Sequence, residues 1–311
     1  EFDGEALHLE EQSIPMDAVL RATQRFNRLV LTYLGVQNQA HVLGIAITSK
    51  NADGLAREIN GIVSRQIIDL RRQALSEEGR EAELAYEECP HCNALVDRTG
   101  LDETDELYCT YCETISPIDA DHAHDLGDYA ICEECGYFAR PNEYTIFYFY
   151  FLLVIYGWRH QKRYMCSGCM RTEAWKMLAG NFLFIIGLPV ALYQLFRVYF
   201  GAANSTYPQL ASANVASQKG RFDAAADSYQ QMLDQGPATV GLHYNAALNA
   251  IDSGQQEAAA DHIRDGLDLC SNHHPIHDLA DWIEVDIDDS DDGDALDRDL
   301  EDDLEFADVE W

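Results

Sequence analysis

Four Cys-x-x-Cys pairs lie between residues 89 and 169 of this 311-residue chain: Cys89/Cys92, Cys109/Cys112, Cys132/Cys135 and Cys166/Cys169. One such pair supplies two corners of a tetrahedral metal site, because a tight turn aims both sulfurs at one point. Taken in order, the pairs make two complete sites, the first from Cys89, Cys92, Cys109 and Cys112 and the second from Cys132, Cys135, Cys166 and Cys169. Paired spacing in a chain this long points to thiolate ligands rather than to a disulfide framework. The ninth cysteine, Cys270, stands alone and reads as a small buried apolar residue.

The formal net charge of −33 restricts what these modules can bind. A field of that sign repels phosphate backbones and argues against nucleic acid, the common ligand of cysteine modules elsewhere. Lysine occurs only at Lys50, Lys162, Lys176 and Lys219. Abundant Asp with scarce Lys fits a salt-loving source, or simply an acidic tail on an ordinary protein. The chain starts at Glu1 without Met, which leaves a processed leader open.

Residues 1–86 read as an α+β lead-in. Ala18, Val19, Ala22, Phe26, Leu29, Val30 and Tyr33 recur at helical spacing, and Leu43, Ile45 and Ile47 alternate as in a strand. Leu55, Ile59, Ile62, Val63, Ile67 and Leu70 then mark one face of a helix that begins near Asp53.

The first cysteine module spans 87–116, two knuckles separated by sixteen residues that suit a short hairpin turning at 97–104. It is too small to bury a core, so metal binding, worth about 10–16 kcal/mol for structural zinc, must drive its folding. The pattern resembles the zinc-ribbon family, which implies a closed four-thiolate site. His91 lies inside the first knuckle, but four thiols already satisfy the metal. Residues 117–128 form an acidic linker that includes His122 and His124.

The second module spans 129–173, and thirty residues separate its two pairs. Between them, Tyr144–Tyr156 is almost wholly aromatic and aliphatic. That run is too short to span a hydrocarbon core of about 30 Å, and crossing there would split the site across the bilayer. An extended hairpin that closes the site is expected, its apolar face laid on a membrane or a partner, or else packed inside a larger domain. The basic run Arg159, His160, Lys162 and Arg163 suits an anionic lipid surface. Cys132-x-x-Cys135-Gly136-Tyr137 with its distant second pair also resembles a rubredoxin, which implies one iron in Cys132, Cys135, Cys166 and Cys169 and electron transfer. Cys166-Ser-Gly-Cys169-Met170 departs from that family in lacking the Pro and the following Gly of its second knuckle.

Residues 174–201 read as a transmembrane helix. Met177–Phe196 is apolar except for Asn181 and Gln194, and twenty residues at 1.5 Å rise cover about 30 Å. Trp175, Tyr193 and Tyr199 sit where an interfacial belt belongs, and Pro189 after Gly187 kinks the span, or bends it into a re-entrant hairpin. Positive charges before the span outnumber those after it, which places the cysteine modules in the cytoplasm and the repeat domain on the opposite side.

From 204 to 285 the chain is Ala-rich and helical in pattern. Gly220, Phe222, Ala225, Tyr229 and Pro237 recur in part thirty-four residues on as Gly254, Gln256, Ala259, Ile263 and Ser271. This resembles the tetratricopeptide repeat, which implies paired helices and a groove for a peptide or partner protein. Gln256 and Gly266 depart from that pattern. Residues 286–311 are an acidic tail, expected to be disordered when alone.

No phosphate-binding loop, His-Glu-x-x-His, Gly-x-Ser-x-Gly or Rossmann fingerprint occurs, so no catalytic residue is assigned. Cys270, His273, His274 and His277 form a ligand-like cluster that Pro275 interrupts. The fold class expected is multidomain: an α+β segment, two small β zinc ribbons, one transmembrane helix, an α-helical tetratricopeptide-like domain and an acidic tail. The function expected is that of a non-enzymatic single-pass membrane adaptor or accessory subunit holding two zinc ions. Its partners would be other protein subunits of a membrane assembly and the lipid bilayer, with neither nucleic acid nor a small-molecule substrate. A membrane-anchored, rubredoxin-like electron carrier is the alternative.

Overall fold

The computed structural model describes residues 2, 4–8, 13–25, 28–35, 39–46, 52–118, 126–152, 155–181, 188–200 and 206–284. Most of the acidic linker, with His122 and His124, and the whole acidic tail lie outside them, as does the apolar segment 182–187. The chain divides into two compact units, one built from 1–88 with 92–97, the other from 89–91 with 98–285.

In the first unit, β1 (Ala6–His8) pairs with β2 (Ser13–Pro15), and β3 (Val19–Arg25), β4 (Arg28–Leu34) and β5 (Ala40–Ala46) form an antiparallel sheet in that order. The helix expected over 18–33 is therefore a pair of strands. Leu31, which the helical spacing leaves out, is fully buried beside Leu29, and that period of two belongs to a half-buried strand. α1 (Ala52–Glu77) covers the sheet through Ala56, Ile59, Asn60 and Val63. Its buried stripe favours small residues, and Ile67 and Leu70, expected inside, are exposed. Asn60 grips the backbone of Ala22, accepting its N–H at 2.7 Å and donating to its carbonyl at 2.8 Å, next to the bulge between Val19 and Arg21. β6 (Tyr86–Glu88) and β7 (Leu95–Asp97) complete the unit as a hairpin, held to α1 by a 2.9 Å bond from the Leu95 N–H to Ser64 Oγ.

The second unit begins with two small hairpins, β8 (Glu106–Cys109) with β9 (Thr114–Pro117) and β10 (Ala130–Ile131) with β11 (Phe138–Ala139). β12 (Pro141–Leu152) and β13 (Ile155–Cys166) then form one long in-register antiparallel ribbon. α2 (Ser167–Gly180) and α3 (Leu188–Phe200) pack on each other and on β12. Tyr144, Ile146, Met165, Met170, Met177 and Leu195 close that core. The base of the aromatic ribbon thus packs inside its own unit.

No described helix is long and apolar enough to cross a membrane, which overturns the transmembrane element of the expected fold class and the single-pass localisation. The stretch read as one span is divided. α2 ends at Gly180, where Asn181 caps it and donates to the carbonyls of Met177 and Phe147 at 2.8 and 2.9 Å. α3 is described from Leu188 and carries Pro189. At 1.5 Å per residue, helices of 14 and 13 residues reach only about 20 Å each.

α4 (Leu210–Gln218), α5 (Phe222–Gln235), α6 (Val240–Asp252), α7 (Gln256–Leu269) and α8 (His274–Trp282) finish the unit as packed consecutive helices. Gly220 and Gly254 end α4 and α6 at φ of +70° and +79°. In each turn the following N–H reaches back five residues, Arg221 to Ala216 and Gln255 to Ala250, a closure that needs the left-handed conformation glycine adopts freely. The two cysteine-bearing hairpins and these helices share one hydrophobic core, containing Tyr108, Phe138, Tyr229 and Leu242. They therefore cannot lie on opposite sides of a membrane.

Candidate metal centres

Each site is built from backbone turns before any metal is considered. Among the first three knuckles, the residue after the second cysteine is left-handed: Asn93 and Glu113 at φ +59° and Gly136 at +73°. That conformation folds the chain back so that the Glu113 N–H bonds the Cys109 carbonyl at 2.7 Å and the Gly136 N–H bonds that of Cys132 at 2.8 Å. The fourth knuckle differs. Cys166 is the N-cap of α2, its sulfur accepting the Cys169 N–H at 3.4 Å, so a helix N-terminus replaces the expected β turn.

The structure brings the two predicted ligand sets together. Cys89, Cys92, Cys109 and Cys112 form one group and Cys132, Cys135, Cys166 and Cys169 another, with all ligand atoms of each group within 4.8 Å of one another. Either group can hold a metal ion. None of the nine cysteines is in a disulfide. Cys89 and Cys112 sulfurs are 3.7 Å apart, and those of Cys135 and Cys166 are 3.9 Å apart. A tetrahedral ion with metal–sulfur bonds near 2.3 Å places its sulfurs about 3.8 Å apart, whereas a disulfide needs about 2.05 Å. In each group at least two sulfurs are shut off from solvent, and the second also receives the Cys166 N–H on Cys132 at 3.3 Å.

The electrostatics of the second group ask for a cation. Hydrogen bonds from Cys135, Cys166 and Cys169 hold the Cys132 thiol well below its ordinary range, and those with Cys132, Cys135 and Cys166 push the Cys169 thiol above it. Without an ion the four share protons; a bound cation lets all four ionise together.

What anchors these knuckles to the helices is a set of buried asparagines that the sequence reading missed. Asn245 on α6 accepts the Phe138 N–H at 2.7 Å and donates to the Phe138 carbonyl at 2.8 Å, while Asn214 on α4 donates to the same carbonyl at 2.9 Å. Asn272 treats Tyr108 in the same way, at 3.0 and 2.7 Å. Gly241 admits the Phe138 ring, since a Cβ there would lie 2.6 Å from it. The inner side of the helices, expected to offer a groove to a partner, is thus filled by strands of the same chain. Asparagines recurring on the buried side of Ala-rich helices were the available signal.

Other candidates fall away from the metal. Cys270 is buried, its thiol bonded to Asn272 Oδ1 at 3.3 Å and pushed above its ordinary value by burial. His273 is buried edge-on to Tyr108, and His277 Nε2 meets the Ser271 carbonyl at 2.8 Å, so the interrupted Cys–His run does not converge on one point. His91 packs over Gly127. An open cleft of about 180 Å³ beside Cys166 is lined by Tyr129, Arg140, Tyr144, Arg197 and Tyr207, below the roughly 300–1,000 Å³ of common small-molecule sites.

No protein-family model matches this chain, and neither a curated protein nor a solved structure matches it. The expected resemblance to a zinc-ribbon protein with a membrane helix and tetratricopeptide repeats is corrected accordingly: two four-cysteine groups are present, no described helix is long and apolar enough to cross a membrane, and no family model matches.

Proposed function

We propose that this chain is a non-enzymatic adaptor or accessory subunit that binds a partner protein, with a structural zinc ion in each four-cysteine group. The outward side of α3 carries the reading. Leu192, Tyr193 and Tyr199 are 55, 62 and 49 % exposed, while Ala191, Leu195 and Val198 on the same helix are buried. Clustered large apolar and aromatic side chains on one exposed helix side mark protein interfaces. Trp175 on α2 is exposed as well. Because the inner side of the five C-terminal helices is occupied by Phe138 and Tyr108, α3 is the better-placed surface for a partner.

Zinc is favoured because four thiolates close its coordination sphere and leave no position for substrate. One observation favours the electron-carrier reading instead: backbone N–H groups point at Cys132 and Cys166 sulfurs, and such bonds tune the potential of iron–thiolate sites. Metal analysis separates the two, since the adaptor reading expects colourless protein with two zinc ions and no redox-active iron. A photo-crosslinking amino acid at position 193 should capture one discrete protein in cells, and the same probe at exposed Glu257 should not. Identical products from both positions, or none from 193, would remove the adaptor reading.

A further inference from the structure

Two histidine nitrogens in the α6–α7 hairpin, Nδ1 of His243 and Nδ1 of His262, are buried without a hydrogen-bond partner. Buried polar nitrogens are ordinarily satisfied, so each such atom calls for an explanation. The two belong to one constellation. His243 on α6 is 8 % exposed, and the rings of His243 and His262 stand 5.6 Å apart at 61°, tilted rather than stacked. Asp265 follows His262 by three residues on α7, so both side chains project from one face of that helix. Its carboxylate Oδ2 lies 3.9 Å from His243 Nδ1.

The geometry points to a third metal site, formed by His243, His262 and Asp265, that takes a divalent late-transition cation of the zinc class with water as the fourth ligand. One ligand atom from each residue lies within 4.8 Å of the others. A tetrahedral ion at 2.0–2.1 Å from nitrogen and oxygen donors sets them about 3.4 Å apart. The gap is small, and Asp265, whose side chain is 61 % exposed, is free to rotate and close it. Gly266 brings the helices near enough, since a Cβ there would lie 3.2 Å from His243 Cβ and 2.5 Å from the Ile276 side chain. Imidazole and carboxylate donors suit zinc, cobalt or nickel, and an edge open to solvent makes such an ion exchangeable where the four-thiolate ions are held fast. Bound there, the ion ties α6 to α7.

Co²⁺ tests this on the full chain as purified, with both cysteine groups already filled. Near neutral pH it should bind at one further equivalent, with ligand-field absorption but without a near-ultraviolet thiolate-to-cobalt charge-transfer band. Asp265→Ala, at an exposed position, should weaken that binding by about tenfold or more while the original two metal ions remain. His262→Ala should do the same from the neighbouring turn. Absence of a further equivalent in the wild type, a charge-transfer band on the added Co²⁺, or unchanged affinity in both variants would each overturn the site.

Discussion

Glu106 is an acidic residue placed where few acids persist, buried on β8 with its carboxylate accepting the Val240 N–H at 2.8 Å at the start of α6. Burial raises its pKa to about 7, against the opposing pull of that N–H. Folded protein therefore holds this proton up to about pH 7, whereas unfolded chain releases it near 4.5. The resulting stability is complete below pH 4.5 and is lost as pH rises to 7, a span of roughly 3 kcal/mol. His273 works in the opposite sense. Burial lowers its pKa to about 3, so its contribution is complete above 6.5 and is lost as pH falls toward 3. Between 4.5 and 6.5 the two oppose each other. Glu106→Gln keeps an acceptor for Val240 and removes the titration, so its stability relative to wild type should improve by about 2 kcal/mol between pH 5.5 and pH 8. Urea unfolding of metal-saturated protein at the two pH values measures this; an equal difference at both would contradict the assignment.

At the scale of elements, the asparagine clamps decide how the metal knuckles are held. Asn245→Ala leaves the Phe138 N–H without its partner in a buried site and removes one of two donors to its carbonyl, a loss of about 2–4 kcal/mol. Phe138 follows Cys135 by three residues, so the same substitution should speed metal release from the second group to a chromophoric chelator, with the first group less affected. Unaltered release would show that the clamp and the ligands are independent. The recurrence of Asn on the buried side of the Ala-rich helices was visible, but which strand each one grips was not legible from spacing. The grouping of the cysteines was legible, since two-residue spacing keeps both sulfurs of a pair together on a tight turn or, at Cys166, on a helix N-terminus. α1 was legible for its length, but the strands at 19–34 were not, because apolar residues there fit both a period of two and a period near 3.6. The apolar run at 175–200 was misread for a related reason. Hydropathy counts side chains and does not see that Asn181 caps α2 and bonds to β12.

For the whole molecule, the question is whether the cysteine groups are appendages or part of the second unit's core. Tyr108 lies next to Cys109 and Phe138 three residues after Cys135, and both aromatics belong to the hydrophobic cluster that α4–α8 close around. Structural zinc supplies about 10–16 kcal/mol, comparable with the roughly 5–15 kcal/mol by which a whole domain is stable. On the proposed zinc reading, losing the ions would therefore remove more than two hairpins. It would withdraw the inner layer from the helices and expose asparagines whose partners were strand backbone. Clustered thiolates without a cation must also take up protons before they can stay together. A strong chelator near neutral pH should then lower the melting temperature of the helical circular dichroism signal substantially, and returning zinc should restore it. Were the helices to melt at the same temperature with and without metal, the hairpins would be separable decorations and the shared core would carry no energetic weight.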